Sequence, residues 1–174
     1  MEVHNKPRLM MDIETLGTGP KAVVTSIGVT VFNLDENALD TFYCEVPVQT
    51  QLDKGRKVTA STISWWFDQI KEGNECPVNL DETSGCLFEL AQFLDKYSDC
   101  ELWAHGTTFD IVIVESLFED FEVKVPWKFW NVMDCRTITN LIDCRSKTNN
   151  HNALDDAINQ ADWMRVALLK LKGI

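Results

Sequence analysis

Apolar and polar positions change period along the chain, and the change divides it into two halves. Residues 8–14 (RLMMDIE) and the β-branched run 22–32 (AVVTSIGVTVF) predict two strands, and a third is expected over 39–46. The GTGP sequence at 17–20 marks a turn between the first two, so this half reads as antiparallel strands on short connections. The period then becomes helical. Residues 62–71 (TISWWFDQIK) predict a helix, with Ser61 or Thr62 as its N-cap. Residues 83–97 place Leu87, Leu90, Ala91 and Leu94 on one stripe. A short buried strand follows at 101–105, with helices at 109–119, 134–143 and 153–172. Strands first, then alternating helix and strand, predict a mixed α/β domain with helices covering the sheet.

Length and composition narrow this reading. The 174 residues suit one domain, 1–174, with a real core. An apolar content of 45% fits a globular chain rather than a disordered one. No apolar run approaches the roughly 20 residues of a membrane span, and the polar start MEVHNKPRLM lacks a signal-peptide core. The expectation is a cytoplasmic protein with no membrane partner. Six cysteines without C-x-x-C or zinc-type spacing read as reduced thiols. A net charge of −11 argues against tight, long-footprint nucleic-acid binding. It argues less against an enzyme that grips a chain end, because divalent cations can neutralise acids and phosphate locally.

Three segments carry candidate chemistry. Asp12 and Glu14 are two apart in a strand and share a face, while Met11 and Ile13 point the other way. Paired acids on a buried strand are costly unless a hard cation with oxygen ligands neutralises them; a strand end with two solvated acids is the plain alternative. His105-Gly106-Thr107-Thr108-Phe109-Asp110 leads from a strand into a helix, putting Asp110 near a helix start where the dipole favours its charge. Asn150-His151-Asn152-Ala153-Leu154-Asp155-Asp156-Ala157 opens the last helix. His151 is the candidate general base, since an imidazole titrates near physiological pH. Ala153 and Ala157 lie one turn apart and would let the helix pack closely on the sheet, bringing an acid towards Asp12.

These segments resemble the motifs of the DEDDh, or DnaQ-like, 3′–5′ exonuclease superfamily, which has a ribonuclease H-like fold. D-x-E-T falls on Asp12, Glu14 and Thr15; F-D on Phe109 and Asp110; H-x-A-x-x-D-A on His151, Ala153, Asp156 and Ala157. This alignment selects Asp156 over Asp155. DIETLGTGP, TISWWFDQ, FDIVIVESLF, PWKFWNVMDCRT and HNALDDAINQA further resemble a subgroup typified by a mycobacterial 3′–5′ exoribonuclease, with many phage members. The likeness runs from about residue 9 to residue 165. Trp103-Ala104-His105-Gly106 departs from the W-x-N-G form of the subgroup, which bears on substrate contact at 105.

The resemblance implies a single ribonuclease H-like domain and hydrolysis of a terminal phosphodiester to nucleoside monophosphates. It implies two Mg²⁺ or Mn²⁺ ions about 4 Å apart, with Asp12 bridging, Glu14 and Asp156 on one ion, Asp110 on the other and His151 as base. The 3′ end of single-stranded RNA or DNA is the expected partner, and a homodimer is compatible with the subgroup. In a viral setting the compartment would be the host cytoplasm. Thr15 and Leu16 would meet the terminal nucleotide, and Phe109 would be structural or line the terminal-base pocket. Trp65 and Trp66 would stack on bases, with at least one aromatic of the Trp65-Trp66-Phe67 run expected in the core. Arg136 would hold a phosphate or form a surface ion pair. The rival is a non-catalytic nucleic-acid-binding module, which loss of a motif acid or of His151 would have favoured; all are present.

Overall fold

The computed structural model describes residues 6–81, 85–144 and 151–173. Residues 83–84 of the predicted helix start and Asn150 lie outside them. Five strands form one sheet: β1 (Arg8–Thr15), β2 (Val24–Phe32), β3 (Asp40–Glu45), β4 (Glu101–Ala104) and β5 (Val132–Asp134), in the order β3-β2-β1-β4-β5. β1, β2 and β3 are antiparallel neighbours, whereas β4 runs parallel to both β1 and β5. The helices are α1 (Val48–Asp53), α2 (Ala60–Lys71), α3 (Cys86–Asp95), α4 (Asp110–Asp120), α5 (Cys135–Thr139) and α6 (Ala153–Leu171). No helix among the described residues is long and apolar enough to cross a membrane.

The continuous apolar run of β2 is explained by its place in the sheet: all nine residues are buried, with helices over both faces. On one face Leu9, Met11, Ile13, Ile27 and Val29 join α3 and α4 in the largest apolar cluster. On the other, Met10, Phe32 and Trp103 meet Ala157, Ala161 and Met164 of α6. The small residues of α6 allow this close approach, and Gly28 completes it. A Cβ at Gly28 would collide with the Ala153 carbonyl and the Leu154 amide. Gly28 sits opposite Asp12 in the β1–β2 register, so the missing side chain brings the start of α6 down beside that acid.

Two elements differ from the sequence reading. The predicted helix 134–143 is a strand-to-helix junction: β5 ends at Asp134 and α5 spans only Cys135–Thr139. Asp134 caps that helix, accepting from the Thr137 amide at 3.2 Å, and its other oxygen accepts from the Thr107 amide at 2.9 Å. Helix α1 was not anticipated. Its Gln51 is fully buried, and its amide both donates to and accepts from the Val24 backbone, at 2.7 and 2.8 Å. That side chain satisfies the start of β2, where the pairing with β1 shifts register between Glu14 and Thr15.

Candidate active site

Four carboxyl groups from three elements converge at the C-terminal end of β1. Asp12 and Glu14 project from the face of β1 that meets α6. Asp110 is the first residue of α4, and Asp156 lies in the first turn of α6. They line one cavity of about 230 Å³ together with His105, Phe109, Arg136, His151 and Gln160. Glu14 is 9% exposed, and Asp110 and Asp156 are each 5% exposed. Glu14, His151 and Asp156 each offer a ligand atom within 4.8 Å of the others. Asp155, the neighbouring acid, is exposed and lines a separate outer cavity.

So many acids at close range resist ionisation. Burial, then Asp156 and Asp110, push the Glu14 carboxyl up to about 8. Burial pushes Asp110 up to about 7, against hydrogen bonds from the Asp110 and Ile13 backbone and the charge of Arg136. Asp12 is raised well above the usual carboxylate range, by burial first and then by Asp110 and Glu14; its hydrogen bond from Gln160 opposes the shift. A positive charge in the cavity would reverse this balance. The donor set is mainly carboxylate oxygen, which suits Mg²⁺ or Mn²⁺.

His151 stands immediately before Asn152, whose side chain caps α6 by accepting from the Leu154 and Asp155 amides, each at 3.1 Å. Its backbone is in the left-handed region, with φ of 50°, an uncommon conformation for a residue with a side chain. The ring meets Trp65 edge-on, with centroids 4.8 Å apart and planes at 88°. Helix α2 therefore flanks the base candidate as well as the neighbouring pocket.

That pocket is mainly apolar and measures about 320 Å³. It shares Glu14 and Phe109 with the acid cavity and adds Thr15, Ser61, Thr62 and Trp65. Residues 61, 62 and 65 fall on one face of α2 by helical spacing. Two of the expected substrate contacts are buried in the fold, Trp66 being the aromatic of its run that lies in the core. Trp66 is only 3% exposed, and its indole N–H donates to the Thr15 carbonyl at 2.9 Å. Leu16 is 8% exposed and packs with Trp66 and Val23. Both belong to the support beneath the pocket because the chain turns inward directly after Thr15, whose hydroxyl donates to the Gly17 carbonyl at 2.7 Å.

Arg136 is exposed at the rim of the acid cavity and donates to the His105 carbonyl at 2.7 Å. Gly106 makes room for it: the glycine has φ of 124°, and a Cβ there would stand 3.0 Å from the guanidinium. His105 itself lines the cavity, its ring 5.7 Å from that of Trp163. The sequence reading missed Gln160, which donates to Asp12 at 2.7 Å. Its one signal was spacing, four residues after Asp156 and so on the same helix face.

Comparison with known proteins gives the family and the fold. The profile of the Rv2179c-like 3′–5′ exoribonuclease domain matches residues 7–168. An exodeoxyribonuclease of Enterobacteria phage T4 is 28% identical, over 74% of this chain and 68% of its own length. Among solved structures, the nuclease domain of 3′hExo, a DEDDh family member bound to rAMP, aligns with a TM-score of 0.58 at 15% identity. That alignment covers 97% of this chain and 93% of the other. The Mg²⁺ and Mn²⁺ bound form of S. pombe Pop2p also aligns at 0.58, with 11% identity over 97% and 85% of the two chains. At such identities the structural likeness establishes the ribonuclease H-like fold alone, while the profile match establishes the family. The chain belongs to the Rv2179c-like 3′–5′ exoribonuclease domain family.

Proposed function

We propose that this chain hydrolyses the 3′-terminal phosphodiester of single-stranded RNA or DNA in a reaction that depends on two Mg²⁺ or Mn²⁺ ions and releases nucleoside monophosphates. The observation that carries the reading is the meeting of Asp12, Glu14, Asp110, Asp156 and His151 in one cavity. The family and the nuclease neighbours support the reaction class. When bound, the cations supply charge neutralisation and Lewis acidity for the phosphodiester.

The protein's own groups divide the remaining work. Asp12, Glu14, Asp110 and Asp156 hold the cations. His151 takes the proton of the attacking water, a role worth roughly 10²–10⁴-fold in rate. Trp65 and Phe109 enclose the terminal base in the apolar pocket, next to the acids, and Thr15 closes its floor. Arg136 presents its guanidinium to a phosphate at the cavity rim. A terminal base seated in the apolar pocket would bring the last phosphodiester to the neighbouring acid cavity, which favours attack at a chain end over attack within a strand.

The test is turnover with Mn²⁺ on single-stranded RNA and DNA of equal sequence, labelled at the 3′ or the 5′ end. Immediate release of labelled mononucleotide from the 3′-labelled strand, and a descending ladder from the 5′-labelled one, are expected. A 3′-phosphate should slow the reaction strongly. Rapid cutting of a circular single strand, or binding without turnover, would defeat the proposal.

A further inference from the structure

The orientation of Asp12 is set from outside the acid cluster. Gln160 of α6 donates from Nε2 to Asp12 Oδ1 at 2.7 Å. It follows Asp156 by one helical turn, so both side chains descend on β1 from the same helix face. Gln160 is 5% exposed, and its Oε1 is buried without a hydrogen-bond partner among the described residues. The bond to Asp12 is therefore the one hydrogen bond this side chain makes there.

A buried amide whose oxygen lacks a protein partner carries a cost that an apolar side chain of similar size would avoid. An apolar side chain would not hold Asp12. A carboxylate turns about χ2 in a broad, roughly two-fold well, so a donor on one oxygen fixes its plane. An amide provides that donor without charge, whereas lysine or arginine would compete with a cation for the same acid. We propose that Gln160 is a positioning residue, holding Asp12 by Oδ1 so that its remaining acceptor sites serve the divalent cations. This rests on the cation-dependent reading above. Gly28 is part of the same arrangement, since its missing Cβ lets α6 approach β1 closely enough for the bond to form.

The experiment uses the full chain stripped with chelator, and Mn²⁺ as the probe. Gln160→Leu and Gln160→Met both remove the donor and keep the bulk. Each should keep or raise the melting temperature in chelator, because a buried oxygen without a protein partner has been removed. Mn²⁺ affinity by calorimetry should fall by about 10-fold, within the range seen when a partner that orients a ligand is lost. At limiting Mn²⁺, kcat should fall while KM for the oligonucleotide is unchanged, and excess Mn²⁺ should narrow the deficit. If either variant folds as the wild type does and binds Mn²⁺ equally well, the proposal fails. If neither folds in chelator, the role is structural and the proposal also fails. Wild-type protein that binds no Mn²⁺ would instead overturn the cation reading itself.

Discussion

Strand β1 presents one face to the apolar core and the other to the acid cluster. On the core face, Met11 is fully buried and Ile13 is 5% exposed, each among aliphatic neighbours. On the other, Glu14 is almost as buried, at 9%, but burial itself, then Asp156 and Asp110, opposes its charge. Burial is similar and its consequence is opposite. Apolar burial stabilises the fold by roughly 25 cal/mol per Å², whereas burying facing acids opposes their ionisation. The core face makes the fold, and the acid face draws on it.

The largest expected effects come from substituting across that divide. Asp12→Ala should lose turnover by about 10³-fold or more, since loss of cation stabilisation worth several kcal/mol corresponds to at least that factor. Its melting temperature in chelator should not fall. Met11→Ala, one position away, should cost about 2–5 kcal/mol in denaturant unfolding, with the activity of the folded fraction little changed. Asp12→Ala that unfolds the chain, or Met11→Ala that leaves stability intact, would break the comparison.

His151 sharpens it. His151→Ala should lose turnover by on the order of 10²-fold or more and keep its Mn²⁺ affinity. Near-normal turnover would remove the imidazole from the reaction, and a large loss of affinity would make it a ligand, which its closeness to Glu14 and Asp156 permits.

The adjacent tryptophans repeat the contrast on α2. Trp65→Ala should raise KM by the equivalent of about 1–3 kcal/mol, the usual worth of base stacking, with stability little affected. Trp66→Ala should instead lower stability by about 3–5 kcal/mol. Denaturant midpoints and KM measured on both variants check the pair.

The same comparison predicts a pH dependence with an unusual sign. Folding raises Glu14 from 4.5 to about 8 and Asp110 from 3.8 to about 7. Between the lower and upper values the folded chain holds more protons than the unfolded one, so these groups lower stability as pH rises through that window. In chelator, their contribution to the melting temperature should decline from about pH 4 to about pH 8. Saturating Mn²⁺ should remove most of the decline, and Glu14→Gln should reduce it without metal.

The sequence disclosed what alternation and spacing can carry. β2 was legible as a β-branched run bounded by turn residues, α6 by the helical period of its small and apolar residues, and the acids because their spacing fits a known pattern. Gln51 was not legible: a glutamine that completes a strand start inside the core looks like any polar helix residue. Nor was β5, three residues long and fused to a helix whose cap, Asp134, resembles an ordinary turn acid. The burial of Leu16 and the choice of Trp66 as the core aromatic were not legible, because an apolar side chain beside a motif reads the same facing a substrate or the core. Gln160 needed the distance to Asp12, which only the packing of α6 over Gly28 supplies.

The most direct test of the acid cluster as a cation site is a crystal structure of the chain soaked in Mn²⁺, with anomalous scattering used to locate the metal. The account predicts metal peaks within about 2.0–2.6 Å of carboxylate oxygens, the usual range for oxygen-ligated divalent ions, at Asp12, Glu14 and Asp156, with Asp110 at the same cluster. Peaks absent from that cavity at saturating Mn²⁺, or those three side chains held too far apart to share metal, would contradict it.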